Sequence, residues 1–227
     1  MSQPRWFRRA PIVLCALAGI MTSAATPAPA SVISLEPTLP LLGASYVSAS
    51  GGSCFPLAGV CVTGGTFTPV SLVSSTFDAS GQSIVTDVVF TGLLTTLTNA
   101  PLGSLSLSGS MEQEILGRTF ATELGSWATE LVALSLNGPV LGNTLSLTLD
   151  DSTASTGTTS IEPAGGNNQG AFRISSFFDV FVELSLDSTP PLVTTRAVRV
   201  SLVPEPASLA LLGIGLAALA LGRRRQT

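Results

Sequence analysis

The sequence predicts an all-β fold, a sandwich or jelly-roll-like body, and three observations predict it. Apolar and polar residues alternate with a period of two through much of the chain after Thr66. The alternating runs are rich in β-branched and aromatic residues, and clusters of Gly, Pro, Asn and Ser separate them. No helical stripe in this region is long enough to compete with the strands.

Taken in chain order, the strand candidates are residues 65–77, 83–97, 105–115, 126–136, 143–149, 174–186 and 198–202, about seven or eight strands in all. In residues 105–115, Leu105, Leu107, Met111 and Ile115 share one face, with Ser104, Ser106, Ser108, Ser110, Glu112 and Glu114 on the other. In residues 174–186, Phe178, Val180, Val182, Leu184 and Leu186 form an inner face opposite Asp179, Glu183 and Ser185. Val198, Val200 and Leu202 alternate in the same way with Arg199 and Ser201. Such patterns describe half-buried strands. Turns are expected at Ser80-Gly81, Asn99-Ala100-Pro101 and Asn137-Gly138-Pro139, and residues 150–170, rich in Ser, Thr, Gly and Asn, read as a long exposed loop.

Both ends of the chain differ from this body. Residues 1–9 carry Arg5, Arg8 and Arg9 and no acid, residues 10–21 are almost wholly apolar, and small residues follow; this is the order of a signal peptide, 1–30, with cleavage after Ala25 or after Ala30. At the other end, Pro204-Glu205-Pro206 precedes an apolar run at 207–222 and then Arg223, Arg224 and Arg225. Sixteen residues of helix rise about 24 Å, enough for a single C-terminal transmembrane helix if the bilayer thins locally. The arginines act as its membrane stop and keep their end cytoplasmic, with the body of the chain outside.

The order of these three parts resembles the PEP-CTERM sorting signal, a tail also labelled an ice-binding-protein C-terminal domain. Pro204, Glu205 and Pro206 match its sorting motif, and 204–227 matches the whole signal. Residues 172–186 also resemble segments of PEP-CTERM proteins of unassigned function. The resemblance implies a substrate of an exosortase-type processing enzyme in a Gram-negative-type bacterium. Such a protein is exported, anchored for a time in the inner membrane, and then displayed on the cell surface or in an exopolysaccharide-containing extracellular matrix.

Between the two ends, residues 31–203 form one domain of β structure. Four arginines face thirteen acids there and no lysine occurs, so the body has a formal charge of −9, which argues against nucleic acid as a partner. Cys54 and Cys61 are the two cysteines left after signal removal, and Pro56 and Gly59 between them favour a turn, so a disulfide is expected. The chain has no histidine, which removes Ser-His-Asp and Cys-His catalysis and a zinc set. Glu112 with Glu114, and Asp179 with Glu183, are paired carboxylates two residues apart, but alternating acids on a solvated strand face arise without any catalytic purpose. Asp150 and Asp151, with Glu162, Asn167 and Asn168, are oxygen donors that could meet around calcium, although their spacing fits no EF-hand.

The expectation is therefore a non-enzymatic surface protein that uses no cofactor and no metal. Two alternatives stay open. One is a carbohydrate-binding module using Tyr46, Trp127 and Phe181 for stacking; the other is a plain single-pass membrane-anchored protein.

Overall fold

The computed structural model describes residues 31–48, 52–166, 170–187, 190–194 and 196–203. The proposed signal peptide and the tail from 204 onward lie outside the described residues. Among the described residues no helix is long and apolar enough to cross a membrane.

Among the described residues thirteen strands form, and seven of them are short. They are β1 (Val32–Ser34), β2 (Ser45–Ser48), β3 (Ser53–Phe55), β4 (Val60–Phe77), β5 (Gly81–Thr96), β6 (Pro101–Leu116), β7 (Gly125–Val140), β8 (Asn143–Leu149), β9 (Ser155–Pro163), β10 (Phe172–Val180), β11 (Val182–Leu186), β12 (Leu192–Val193) and β13 (Val198–Val203). The chain is all-β, but its sheet does not split into the two layers of a sandwich or a jelly roll. Eight strands close into a barrel in the order β2, β4, β5, β6, β7, β9, β10, β13 and back to β2, every contact antiparallel. The order follows the chain, so this is an up-and-down barrel. Alternation within a strand specifies which face is buried; whether the sheet folds over or closes is decided by the pairing of its first and last staves, a contact between distant parts of the chain.

The remaining strands lengthen the staves. β8 pairs with the second half of β7 and β9 with the first half, so both lie along one neighbour. β11 continues β10 and pairs β8. The β7–β8 turn is Leu141-Gly142, both at positive φ, as a two-residue hairpin requires. Asn137-Gly138-Pro139, expected as that turn, instead runs within β7 and pairs with Ser146, Leu145 and Thr144.

The interior is apolar and full. Ile84, Leu107, Ile115, Leu136, Ile161, Ile174, Phe178 and Leu202 are each 2 % exposed or less. A void among these side chains, bordered by Phe67, Phe90, Leu107 and Leu147, measures about 30 Å³, room for about a water or a methyl group and not for a ligand. The expected inner faces at Leu105, Leu107, Met111 and Ile115, and at Phe178, Val180, Val182 and Leu184, all point into this core, whereas Leu186 lies at the rim. The outer wall of β6 presents Ser104, Ser106, Ser108, Ser110, Glu112 and Glu114. A lipid-facing barrel needs an apolar band at such positions.

Residues 150–170 do not form the expected loop, because they contain β9, a central stave. Apart from Ile161, its inner face is built from small and hydroxyl-bearing residues. Thr129 Oγ1 donates to Thr159 Oγ1 at 3.0 Å, and Thr159 shares a hydrogen bond with Ser176 Oγ at 2.9 Å. Tyr46, buried beside Ser176, is pushed up by burial, with the Ser176 hydrogen bond opposing it. These hydroxyls satisfy one another inside the core, as buried polar groups must. Gly157 pairs with Phe178 of β10, and an added Cβ there would overlap the carbonyl oxygen of Phe177. A backbone oxygen in a closed ring cannot move aside. We expect Gly157→Ala to lower the unfolding free energy by about 2 kcal/mol or more. Gly103→Ala, where an added Cβ meets only Leu141 Cδ2 at 3.8 Å, should shift it by less than about 0.5 kcal/mol. Urea denaturation followed by circular dichroism reads both, and equal midpoints would contradict the close packing of β9.

Candidate functional site: where the tail leaves the barrel

The sorting motif Pro204-Glu205-Pro206 and the stop Arg223-Arg224-Arg225 lie outside the described residues, but the strand that carries them is fully described. β13 is held on both edges. Against β10 it pairs Ser201 with Phe177, Val200 with Phe178, Arg199 with Asp179 and Val198 with Val180. Against β2 it pairs Val203 with Ser45 and Leu202 with Tyr46. Leu202 is 1 % exposed, so the core reaches to within one residue of the strand's end.

The described part of β13 ends at Val203, and two features oppose its continuing along β10. The next residue is Pro204, which has no N–H to give to a ladder. The next stretch of β10's edge is also already taken. In the β10–β13 register Ser201 faces Phe177, so the place opposite Ile174 lies one position past that of Val203, and Val32 of β1 fills it. β1 then continues along the same edge, with Ile33 opposite Arg173 and Ser34 opposite Phe172. The first strand of the body thus takes over the edge of β10 at the point where the last strand leaves it.

β1 is held there by the segment that joins it to β2. Leu39 in that segment is buried, and Gly43 N donates to Pro69 O at 2.9 Å. Beneath it lies Arg118, fully buried, whose guanidinium donates to Pro37 O at 2.7 Å, to Ala121 O at 2.6 Å and to Gln82 Oε1. Its Cζ also stands 5.5 Å from the centre of the Trp127 ring. Burial lowers the Arg118 pKa, and Glu123 opposes that shift. Nothing in the local sequence marked Arg118, since one arginine in a turn reads as a surface charge.

On the outside of the junction, Arg199 makes a two-pronged contact with Asp179, at 2.8 and 2.6 Å, and lies over Phe177 at 4.5 Å. The hydrogen bonds from Arg199, more than its charge, hold the Asp179 carboxyl below the usual carboxylate range, against a smaller opposing effect of burial. The pair therefore stabilises the fold above the ordinary Asp range and loses that contribution as pH falls through the lowered folded-state value. Both side chains are partly exposed, which keeps it below about 1 kcal/mol.

The other residues singled out in the sequence do not assemble. Cys54 and Cys61 face each other across β3 and β4 and are joined by a disulfide, their Cα atoms 4.0 Å apart. Glu112 accepts a hydrogen bond from Ser83 Oγ, and Glu114 borders a void of about 30 Å³, too small for a sugar ring. Asp179 is occupied by Arg199. Asp150 accepts from Ser152 N and Oγ in a tight turn just before β9, whereas Glu162 is near that strand's far end, so the two do not meet. Asn167 and Asn168 lie outside the described residues. Among the described residues no group of His, Cys, Asp and Glu could hold a metal ion. Of the three candidate stacking residues, Tyr46 is buried against Phe178, Trp127 packs on the core beneath Arg118, and Phe181 is half-buried between β10 and β11. They form no common face.

A filled barrel whose last stave is followed in the sequence by a basic-ended apolar run has the make-up of a folded cargo attached to a C-terminal sorting signal. The family model of the PEP-CTERM protein-sorting motif matches residues 202–226, and the chain is accordingly a PEP-CTERM sorting domain-containing protein, a surface protein targeted to an exosortase-type enzyme. The matched segment begins with Leu202 and Val203, the last two residues of β13, so signal and barrel overlap. No curated protein and no solved structure matches the chain.

Arg118 is the residue on which the β1 side of this junction depends. Arg118→Met keeps an apolar stem but leaves Pro37 O, Ala121 O and Gln82 Oε1 without their donor. We expect a loss of about 2–3 kcal/mol and faster hydrogen exchange in β1 than in β5. Unchanged stability, or equal loss of protection in both strands, would contradict the role given to this side chain.

Proposed function

We propose that the protein is a non-enzymatic component of the bacterial cell surface, delivered by its tail and retained with the exopolysaccharide matrix. Export by the N-terminal signal places residues 31–203 outside the inner membrane. The apolar run 207–222 and Arg223, Arg224 and Arg225 hold the chain in the bilayer until the exosortase-type enzyme cuts near Pro204-Glu205-Pro206. The observation that carries this reading is the handover at β10: the described barrel reaches the residue before the motif, and β1 fills the place on β10 that would otherwise draw the chain onward into the sheet.

The barrel's filled interior supports a structural role over a transport role. Matrix contact, in this reading, falls on the outer wall, where Asn137, Thr144, Ser146, Ser185 and Asp187 line an open polar groove of about 610 Å³. Hydroxyl and amide groups of this kind suit hydrogen bonding to polysaccharide, and the lack of an aromatic platform suits many weak contacts over one tight sugar site.

Changing Pro204, Glu205 and Pro206 together to Ala removes both φ restraints while leaving the anchor and the barrel intact. In an exosortase-bearing host the parent should lose its tail and reach the surface, while the variant accumulates uncut in the inner membrane. Fractionation and immunoblotting read the difference, and equal processing would overturn the sorting mechanism.

A further inference from the structure

Beside the tail's exit the outer surface of the barrel carries a group of exposed apolar side chains. Leu35 is 83 % exposed, Leu42 51 %, Val70 51 % and Ile33 48 %. Ile33 and Leu42, with Val32, Leu41 and Ala44, line one shallow groove of about 440 Å³. Val70 is close by, since Gly43 N bonds Pro69 O. Val32 also follows Val203 by one position along the edge of β10, so this groove begins where the described part of β13 ends. The opposite wall, β6, shows the contrary composition, with serines and glutamates facing out.

We infer that this face, centred on Ile33, Leu35 and Leu42, rests on the lipid bilayer while the tail is still attached. The inference depends on the anchoring role given to residues 207–222. Only Pro204, Glu205 and Pro206 separate Val203 from that run, and three residues reach at most about 10 Å. An anchored barrel cannot stand off the membrane by more than that. The end of the barrel from which the chain departs is the one brought to the lipid, and Ile33, Leu35, Leu42 and Val70 are exposed beside that exit. So short a tether gives the groove an effective concentration at the bilayer in the millimolar range or above, so apolar contacts too weak to hold a free barrel there suffice. Nearby charges give no attraction to an anionic bilayer: Arg173, opposite Ile33, is flanked by Glu162 of β9, and Glu36 follows Leu35, a sum of −1. Apolar contact is therefore the main attraction. Cutting the tail removes the tether and with it the docking, which lets the barrel leave for the surface.

The test uses the signal-processed full chain in vesicles of phosphatidylethanolamine and phosphatidylglycerol. Single replacements L35C, L42C and, on the opposite wall, S106C are labelled with an environment-sensitive fluorophore, the native cysteines being held in their disulfide. Doxyl-labelled lipids should quench the probes at 35 and 42 about twofold or more, as expected for groups ~5–10 Å into the interface, and leave 106 unaffected. A chain that fails to float with the vesicles overturns this inference together with the anchoring reading. A floating chain whose positions 35 and 42 are as wet as 106 overturns the inference alone. Probes shielded from water but not quenched by lipid would mean that the tail or a second copy covers the groove, which also overturns it.

Discussion

Every stave of a closed barrel needs a partner on each edge, and here the last stave in the chain, β13, supplies the pairing that turns an open meander into a ring. Its contacts with β10 on one side and β2 on the other bring together residues from opposite ends of the body. Without them, β2 and β10 would each keep an open ladder, and the inner faces of Tyr46, Phe178 and Val200 would lose their enclosure. The sorting signal is therefore rooted in the element that completes the fold. A chain whose barrel has not closed presents its motif on a strand that has no fixed position.

This arrangement brings the packed core close to the start of the motif. Leu202 is packed in the core, whereas Pro204 begins a segment that cannot continue the ladder. β1 guards the boundary from the other side by occupying β10 next to the exit, and the Arg118 cluster fixes the segment that carries β1. The arginine is an expensive way to hold a loop, because its charge is taken out of water with no carboxylate in direct contact. Three acceptors and an aromatic face offset that cost, and together they tie the N-terminal segment, the loop after β6 and the first inner residue of β5 to one point.

Much of the architecture was legible where inner faces are apolar. Leu105, Leu107, Met111 and Ile115, or Phe178, Val180 and Val182, announce their strands because alternation and burial coincide. β9 was not legible, because its inner face uses Thr159, Gly157 and Ser155, residues that also define loops, and only the facing hydroxyls of Thr129 and Ser176 make them suitable for a core. Asn137-Gly138-Pro139 misled for a similar reason: turn chemistry is local, whereas the pairing with β8 that keeps these residues extended is not. Closure itself, and with it the choice of a barrel over a sandwich, depends on β13 meeting β2. The candidate site divides in the same way. The letters Pro204, Glu205 and Pro206 could be read directly, whereas the handover from Val203 to Val32 joins the two ends of the body and leaves no local trace in either.

The claim at the centre of this account is that β13 belongs to the cooperative core and is not a loosely added extension of the tail. Native-state hydrogen exchange on the signal-processed chain, with and without residues 204–227, tests it directly. The account predicts that the amides of β13 which bond across the barrel exchange only through global unfolding, at the free energy shown by β5 and β6, whether or not the tail is present. Exchange of β13 through a much cheaper local opening, or protection that disappears when the tail is removed, would contradict it.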